Sequence, residues 1–522
     1  MKLRAMVALV CGGVFGAPAL GQPQWMEVPP PETAMVTPPD MPREFRGVWI
    51  ASVQNIDWPS AKKLTVAQQT AEITRNLDGL SKMNINAVLL QVRPSGDALY
   101  VSSLEPWSEY LTGASGIAPD VEGYDPLRLW IEEAHRRAID VHVWINPFRV
   151  RHFKAESANA PSHIARTHPE LVRSYDGYEW LDPGEPAAID HSMKVVMDIV
   201  NRYDIDGVAI DDYFYPYPKD KEPFPDDASY QKYVSTTKQP GGGGPLTRDL
   251  WRQQNINVFV ERFYREIKAA KPYVLVGIAP FGIWRPGNPP GIKGMDAVAK
   301  LHADAKVWLA NGWLDYLSPQ LYWSIDSIEQ NFVKLLVWWA GENVKERHLW
   351  PSLYTSRIGQ KTADPQNNWI PDEISKQILV TRERAGNAGI AFPGQIHFSL
   401  KVMLENRGGI NQVIMARYAA PALIPESPWL DDGGFAKQPW HAMIALDQSR
   451  TSIAWAPYEF SPMPARWVIQ TRTGDNWASA ILPGTQAEAS FDIGPDAVVL
   501  TPVSRTGMSG TPKKWELKQM KR

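Results

Sequence analysis

From Arg43 to about residue 420, short β-branched or aromatic runs alternate with polar loops and with stretches whose apolar residues recur at helical spacing. The runs predict strands at Phe45–Ser52, Asn86–Arg93, Asp140–Asn146, Gly207–Asp212, Val274–Ala279, Tyr316–Tyr322, His348–Tyr354 and Gly389–Phe398. Helices fit between them, among others at Thr65–Met83, Pro126–Arg137, Ser192–Tyr203, Thr247–Ala270 and Asp372–Ala385. Parallel strands need helical crossovers and eight such units close a ring, so the pattern predicts an α/β fold, a (β/α)8 TIM-type barrel with enlarged loops. An open doubly wound sheet is the alternative, but no Gly-rich phosphate turn follows the first strand.

After Pro421, Pro425 and Pro428 the pattern changes. Short alternating runs at Ser452–Ala456, Arg466–Thr471 and Ala497–Pro502, without a convincing helix, predict a small C-terminal β-sandwich. Its AVVLTPVSRTGMSG stretch, Ala497 to Gly510, resembles the late strand and turn of fibronectin type III-like modules. At the other end, Lys2 and Arg4 precede an apolar run to Ala19, and Ala19-Leu20-Gly21 fits a signal-peptidase site. The expected organisation is a signal peptide at 1–21, a proline-rich linker at 22–42, the barrel at 43–432 and the sandwich at 433–522. The protein is thus expected to be exported, periplasmic or envelope-associated, or secreted. A lipid anchor on Cys11 is the rival reading, and Val10 before that cysteine disfavours it. No later stretch is apolar for long enough to serve as a transmembrane anchor.

A net charge of -3, from 54 Lys+Arg against 57 Asp+Glu, gives no basic stripe and argues against nucleic acid as a partner. The chain has 22 Trp and 18 Tyr, flat side chains that suit stacking on sugar rings as well as core filling. The ten His show no paired ligand spacing on a helix and the only cysteine is Cys11, so neither metal nor cofactor is expected. Asp220, Glu222, Asp226 and Asp227 read as a solvated acidic loop rather than a calcium site. No Gly-x-Ser-x-Gly elbow marks a catalytic serine.

In this architecture reactive groups sit where strands end and loops converge. The run Asp204 to Pro218, DIDGVAIDDYFYPYP, stops an apolar strand at two adjacent acids followed by aromatics. Strand alternation puts Ala209, Asp211 and Tyr213 on one side, which makes Asp211 the first choice for pointing inward. Glycosidic hydrolysis needs two carboxyl groups, and Asp211 or Asp212 is the expected nucleophile or base. For the partner, Asp57, Asp97, Glu105 and Asp326 stay unranked. Arg46, Arg93, Asn146, Arg149, Gln320, Tyr322, Tyr354, Arg357 and His397 fall at or near strand ends as candidate binders of sugar hydroxyls. Trp49, Trp58, Trp107, Trp144, Trp284 and Trp323 are candidates for ring stacking or for core.

The words FRGVWIASVQNIDWPS, NAVLLQVRPSGDALYVSSLEPWSEYLTG, VHVWINPFR, DGVAIDDYFYP, DYLSPQLYW and PALIPESPWLD, in this order between Glu44 and Asp432, resemble the glycosyl hydrolase-like 10 family of bacterial envelope proteins. That family includes a divisome-associated glycosidase acting on peptidoglycan strands stripped of their peptides. The resemblance implies catalytic candidacy for Asp211 and Asp212 and a place in the cleft for Arg46, Asn55, Asp57, Arg93, Asp97, Asn146, Gln320 and Tyr322. It also implies a polysaccharide substrate and an envelope or division-machinery protein as partner. Chitinase-type barrels end their fourth strand in a glutamate acid where this chain has Tyr213, which argues against a substrate-assisted mechanism. That departure keeps a non-catalytic glycan-binding envelope protein in view as an alternative; a hydrolase of an exogenous polysaccharide is another, which nothing in the chain excludes.

Overall fold

The computed structural model describes residues 36–219, 222–237, 244–360, 368–387, 393–430, 434–435, 440–446, 451–457, 463–491 and 494–517. The expected signal peptide, most of the proline-rich linker and Asp220 lie outside the described residues.

The barrel strands are β1 (Phe45–Ile50), β2 (Ala87–Arg93), β3 (Asp140–Ile145), β4 (Gly207–Ile210), β5 (Leu275–Ile278), β6 (Tyr316–Leu317), β7 in two pieces (His348–Leu349 and Ser352–Leu353) and β8 (Gly394–His397). All pair in parallel, each with its neighbours in chain order, and β1 pairs with β8. The first piece of β7 pairs with β6 and the second with β8, so the sheet closes on itself across Trp350 and Pro351. This is the α/β, TIM-like barrel that the alternation predicts.

Crossover helices are α1 (Val66–Lys82), α2 (Pro126–His135), α3 (Pro186–Arg202), α4 (Arg248–Ala270), α5 (Phe332–Glu342) and α6 (Pro371–Asn387). Thr65 and Gln68 form a reciprocal cap at the start of α1, satisfying backbone N–H groups that the first turn leaves open. Pro186 opens α3 at the one position where a missing N–H costs nothing, six residues ahead of the expected Ser192. From α3, Ile189, Met193, Val196, Ile199 and Val200 are buried at spacings of three and four, the stripe a barrel-facing helix needs. A three-stranded antiparallel insertion after β3, made of Arg149–Arg151, Val172–Tyr175 and Tyr178–Leu181, lies outside the sequence expectation.

The barrel interior is filled rather than open. Phe45 stacks on Trp350 at 3.9 Å, Tyr316 lies against both, and His142 Nδ1 meets the Tyr316 hydroxyl at 2.9 Å. A methyl carbon at Gly277 would sit 1.9 Å from the Tyr316 ring, so this layer closes only with glycine there. Above it, Trp49 and Trp144 meet edge to face at 5.0 Å and form the floor beneath the strand ends.

C-terminally, two antiparallel sheets share one apolar cluster that includes Trp440, Trp455, Trp467 and Trp515. One holds β9 (Trp440–Leu446), β10 (Thr451–Pro457) and β13 (Glu488–Phe491); the other holds β11 (Arg466–Thr473), β12 (Asn476–Pro483), β14 (Ala497–Val503) and β15 (Lys513–Glu516). They pack beneath the barrel, at the end opposite the C-terminal ends of its strands. Arg505 bonds Asp204 and Asp206, Arg466 pairs with Asp140, and Arg43 donates to the Gly507 carbonyl. Among the described residues no helix is long and apolar enough to cross a membrane.

Candidate active site

Inward positions along the strands set the site. Ala209 lies in the interior cluster, and two residues later, one step past the end of β4, Asp211 continues that side into the mouth of the barrel. Both its oxygens accept from Asn146 Nδ2, at 2.7 and 2.8 Å, and the Tyr213 backbone N–H donates to it as well. Asn146 is held in turn: its Oδ1 accepts from Gln91 Nε2 at 2.6 Å and from Arg149 Nη2 at 2.8 Å. Gln91 Oε1 accepts the backbone N–H groups of Ser52 and Val53. A relay of amides from the ends of β1, β2 and β3 therefore fixes one carboxyl.

Asp212 turns toward β6, where the Gln320 side chain and the Tyr217 hydroxyl donate to it. Tyr213 lies over the Arg149 guanidinium at 5.0 Å and meets Tyr217 at 5.7 Å. Tyr322, stacked on Tyr354 at 4.9 Å, completes the far wall with Phe398; Trp323 stands edge-on to Phe281, half-buried.

Burial and charge act on both acids. Burial and the adjacent Asp212 push Asp211 up to about 7, against the pull of Arg149 and Asn146. Burial raises Asp212 too, opposed by the donors Tyr217 and Gln320. Two like charges this close resist joint ionisation, so the pair can hold a proton near neutral pH. Burial and both acids push the Tyr322 phenol far up, so it stays protonated.

Of the residues expected here, Asp211, Asp212, Asn146, Tyr213, Gln320, Tyr322 and Trp323 come together at the mouth. The others are placed elsewhere or are otherwise engaged. Arg46 faces outward near the start of β1, bonded to Glu44 and the Ala420 carbonyl, because it has the parity opposite to Trp49. Arg93 also faces outward, in a buried pair with Glu105, since a register shift between Gln91 and Arg93 turns it toward the helices. His397 likewise lies behind β8, between Thr355 and Tyr418. Asp57 braces the first loop to the eighth by accepting from Ala51 N, Ser399 Oγ and Lys401 N. Asp97 accepts from Ser95 N and Ser108 within its own loop, and Asn55 donates to the Pro59 and Tyr110 carbonyls. Burial raises Asp57 and Asp97 to about 6, yet both are spent on bracing their loops. Arg93 and His191 hold Glu105 down at about 2, a structural anion. Asp326 is exposed. Sequence reasoning passed over Gln91 and Tyr217; an amide at an inward position of the otherwise apolar AVLLQVR strand was the available signal for the first.

A profile of the glycosyl hydrolase-like 10 family matches residues 44–371, which contain the whole amide relay and both acids. The chain belongs to the glycosyl hydrolase-like 10 family. It is 41% identical over 399 residues to glycosyl hydrolase YngK of Bacillus subtilis, covering 75% of each chain. It is 34% identical over 342 residues to glycosyl hydrolase DigH of Escherichia coli K12, covering 60% of this chain and 75% of that one. Among solved structures, the PgaB (BpsB) glycoside hydrolase domain from Bordetella bronchiseptica is similar at 13% identity and a TM-score of 0.47, covering 72% of this chain and 98% of that chain. As a glycosyl hydrolase-like 10 protein it carries a glycan-related function.

Proposed function

We propose that this protein hydrolyses glycosidic bonds in a cell-envelope polysaccharide, the glycan strands of peptidoglycan, with Asp211 and Asp212 as the reacting pair. The observation that carries the reading is two adjacent buried carboxyls, both raised and one to about 7, at the mouth of a barrel of this family. In that state Asp211 gives its proton to the leaving oxygen as the carbon–oxygen bond breaks. Asp212, charged and held by Tyr217 and Gln320, takes a proton from the water whose oxygen bonds the anomeric carbon. The raised carboxyl thus favours an acid role for Asp211 over the nucleophile or base role that the sequence suggests. Tyr322 and Gln320 are placed to bind sugar hydroxyls, and Tyr213 and Trp323 to cover ring faces.

The peptidoglycan assignment rests on the family resemblance and on the export signal read at residues 1–21. The C-terminal strand order, β9-β10-β13 beside β12-β11-β14-β15, supports a fibronectin type III-like sandwich. Incubation with peptide-free glycan strands, followed by sizing of the products, tests the reading. Wild type should shorten the strands and Asp211→Asn should leave them intact. Strands bound but uncut would make the protein a catalytically idle glycan binder; cutting only storage or plant glycans would move the substrate class.

A further inference from the structure

Aromatic rings continue away from the acids in one direction. Tyr217, which donates to Asp212, touches Tyr213; Tyr213 lies 6.3 Å from Trp180, and Trp180 lies 6.2 Å from Tyr178 on the three-stranded insertion. Tyr178 meets both His152, at 5.2 Å, and Phe153, at 5.1 Å, and these last two rings stack at 4.6 Å. Trp180 is buried and supports the row from below, donating its Nε1–H to the Phe214 carbonyl. The other rings show themselves to solvent: Phe153 is 51% and Tyr217 38% exposed, and His152, Tyr178 and Tyr213 are half-buried.

Single exposed apolar residues are ordinary on any protein, and Ile328 at 86% or Val344 at 69% needs no explanation. A connected row of rings that begins at a catalytic carboxyl is different in kind. The row also interleaves polar groups with ring faces, as a sugar polymer requires, since each pyranose offers an apolar face and hydroxyls at its edge. Besides the Tyr178 and Tyr213 hydroxyls, His152 supplies a donor. The Lys154 backbone N–H donates to His152 Nδ1, which leaves the ring proton on Nε2. Burial, Arg149 and Lys154 hold that imidazole down at about 4, so it stays neutral through the physiological range.

We propose that Tyr217, Tyr213, Tyr178, His152 and Phe153 form a run of sugar-binding subsites that lays an extended glycan chain along the insertion, making this a polymer-directed site rather than one for short oligosaccharides. The inference rests on the glycosidase reading for its substrate class, but its binding test is independent of turnover. In an Asp211→Asn background, affinity electrophoresis through gels containing peptide-free peptidoglycan strands measures polymer binding directly. Phe153→Ala should weaken it roughly threefold to tenfold, and Phe153→Ala with Tyr178→Ala by more than tenfold. Phe153→Trp should tighten it, and the off-row control Ile328→Ala should not move it. In the active protein, the double variant should lower kcat/KM on long strands at least tenfold more than on a tetrasaccharide from the same glycan.

Equal retardation of the Phe153 variants and their parent, or equal losses on long and short substrates, would overturn the subsites. Failure of Asp211→Asn to bind the strands at all would overturn them too. If wild type cuts nothing while the double variant still loses binding, the glycosidase reading fails and the row stands. Phe153, half exposed on a turn, keeps the test decisive even if loss of Tyr178 unfolds the insertion.

Discussion

Asp206 and Asp211 stand at opposite ends of the same four-residue strand, equally buried at 6% exposure, and the protein treats them in opposite ways. At the bottom, Asp206 accepts from His135 Nε2 at 2.7 Å, Val141 N at 2.9 Å and Arg505 Nη1 at 3.0 Å, and these partners hold it below the usual carboxylate range. At the mouth, Asp211 faces an amide and a second acid, with Arg149 spent on Asn146, Pro94 and the Tyr213 ring, and it rises to about 7. Desolvation acts on both, so the charges brought by neighbouring loops decide the outcome. The bottom uses its cations to join two modules; the mouth keeps them off the acid that we propose moves a proton.

Asp211→Asn should break the mouth alone, lowering turnover by roughly 10²–10⁴-fold while the fold persists, since the amide oxygen still accepts from Asn146. Product release together with circular dichroism checks both halves. Arg505→Met should break the bottom alone, leaving Asp206 short of a buried partner and costing about 3 kcal/mol in urea unfolding, with turnover within twofold of wild type. A stable Arg505→Met protein would mean that the bottom pairs contribute little.

The contrast also has a pH signature. Asp211 binds its proton more tightly in the native chain than in the unfolded one, whose value is roughly 3.9, so its ionisation lowers stability as pH rises from about 4 to 7 and the loss levels off above. Asp206 has the opposite sign: its contribution is complete above roughly pH 3.9 and fades as pH falls toward its lowered value. Asp211→Asn should therefore gain on wild type by on the order of 4 kcal/mol between pH 4 and 8 in parallel urea titrations, and Asp206→Asn should gain nothing over that range. Smaller still, Tyr217→Phe removes one donor from Asp212 and should lower turnover about tenfold, moving the acidic limb of the pH–rate profile upward. His397→Gln, behind β8, should change kcat/KM less than roughly twofold, because the hydrogen bonds it loses lie outside the mouth.

Much of this layout is written in local pattern. All eight barrel strands fall within the β-branched runs, and the parity of Ala209 was enough to aim Asp211 inward. Parity would also have turned Arg46 and His397 outward, had it been followed from Trp49 and from Ile396, which both lie inside. Arg93 was not readable in that way, because the irregularity after Gln91 reverses its side and leaves no mark in the residues. The insertion that carries Tyr178 and Phe153 was hidden for another reason. Its strands are three or four residues long, too short for alternation to stand out from a loop. The start of α3 was obscured by Glu185 and Pro186, which read as loop residues until the helix behind them is seen.

Everything at the mouth depends on Asp211 and Asp212 sharing a proton near neutrality, and a carbon-13 NMR titration of aspartate-labelled protein observes that proton directly. Two carboxyl signals should titrate together, one with a midpoint near 7, and in Asp212→Asn the remaining signal should move to lower pH. Two independent midpoints near the unperturbed value of roughly 3.9 would contradict the account.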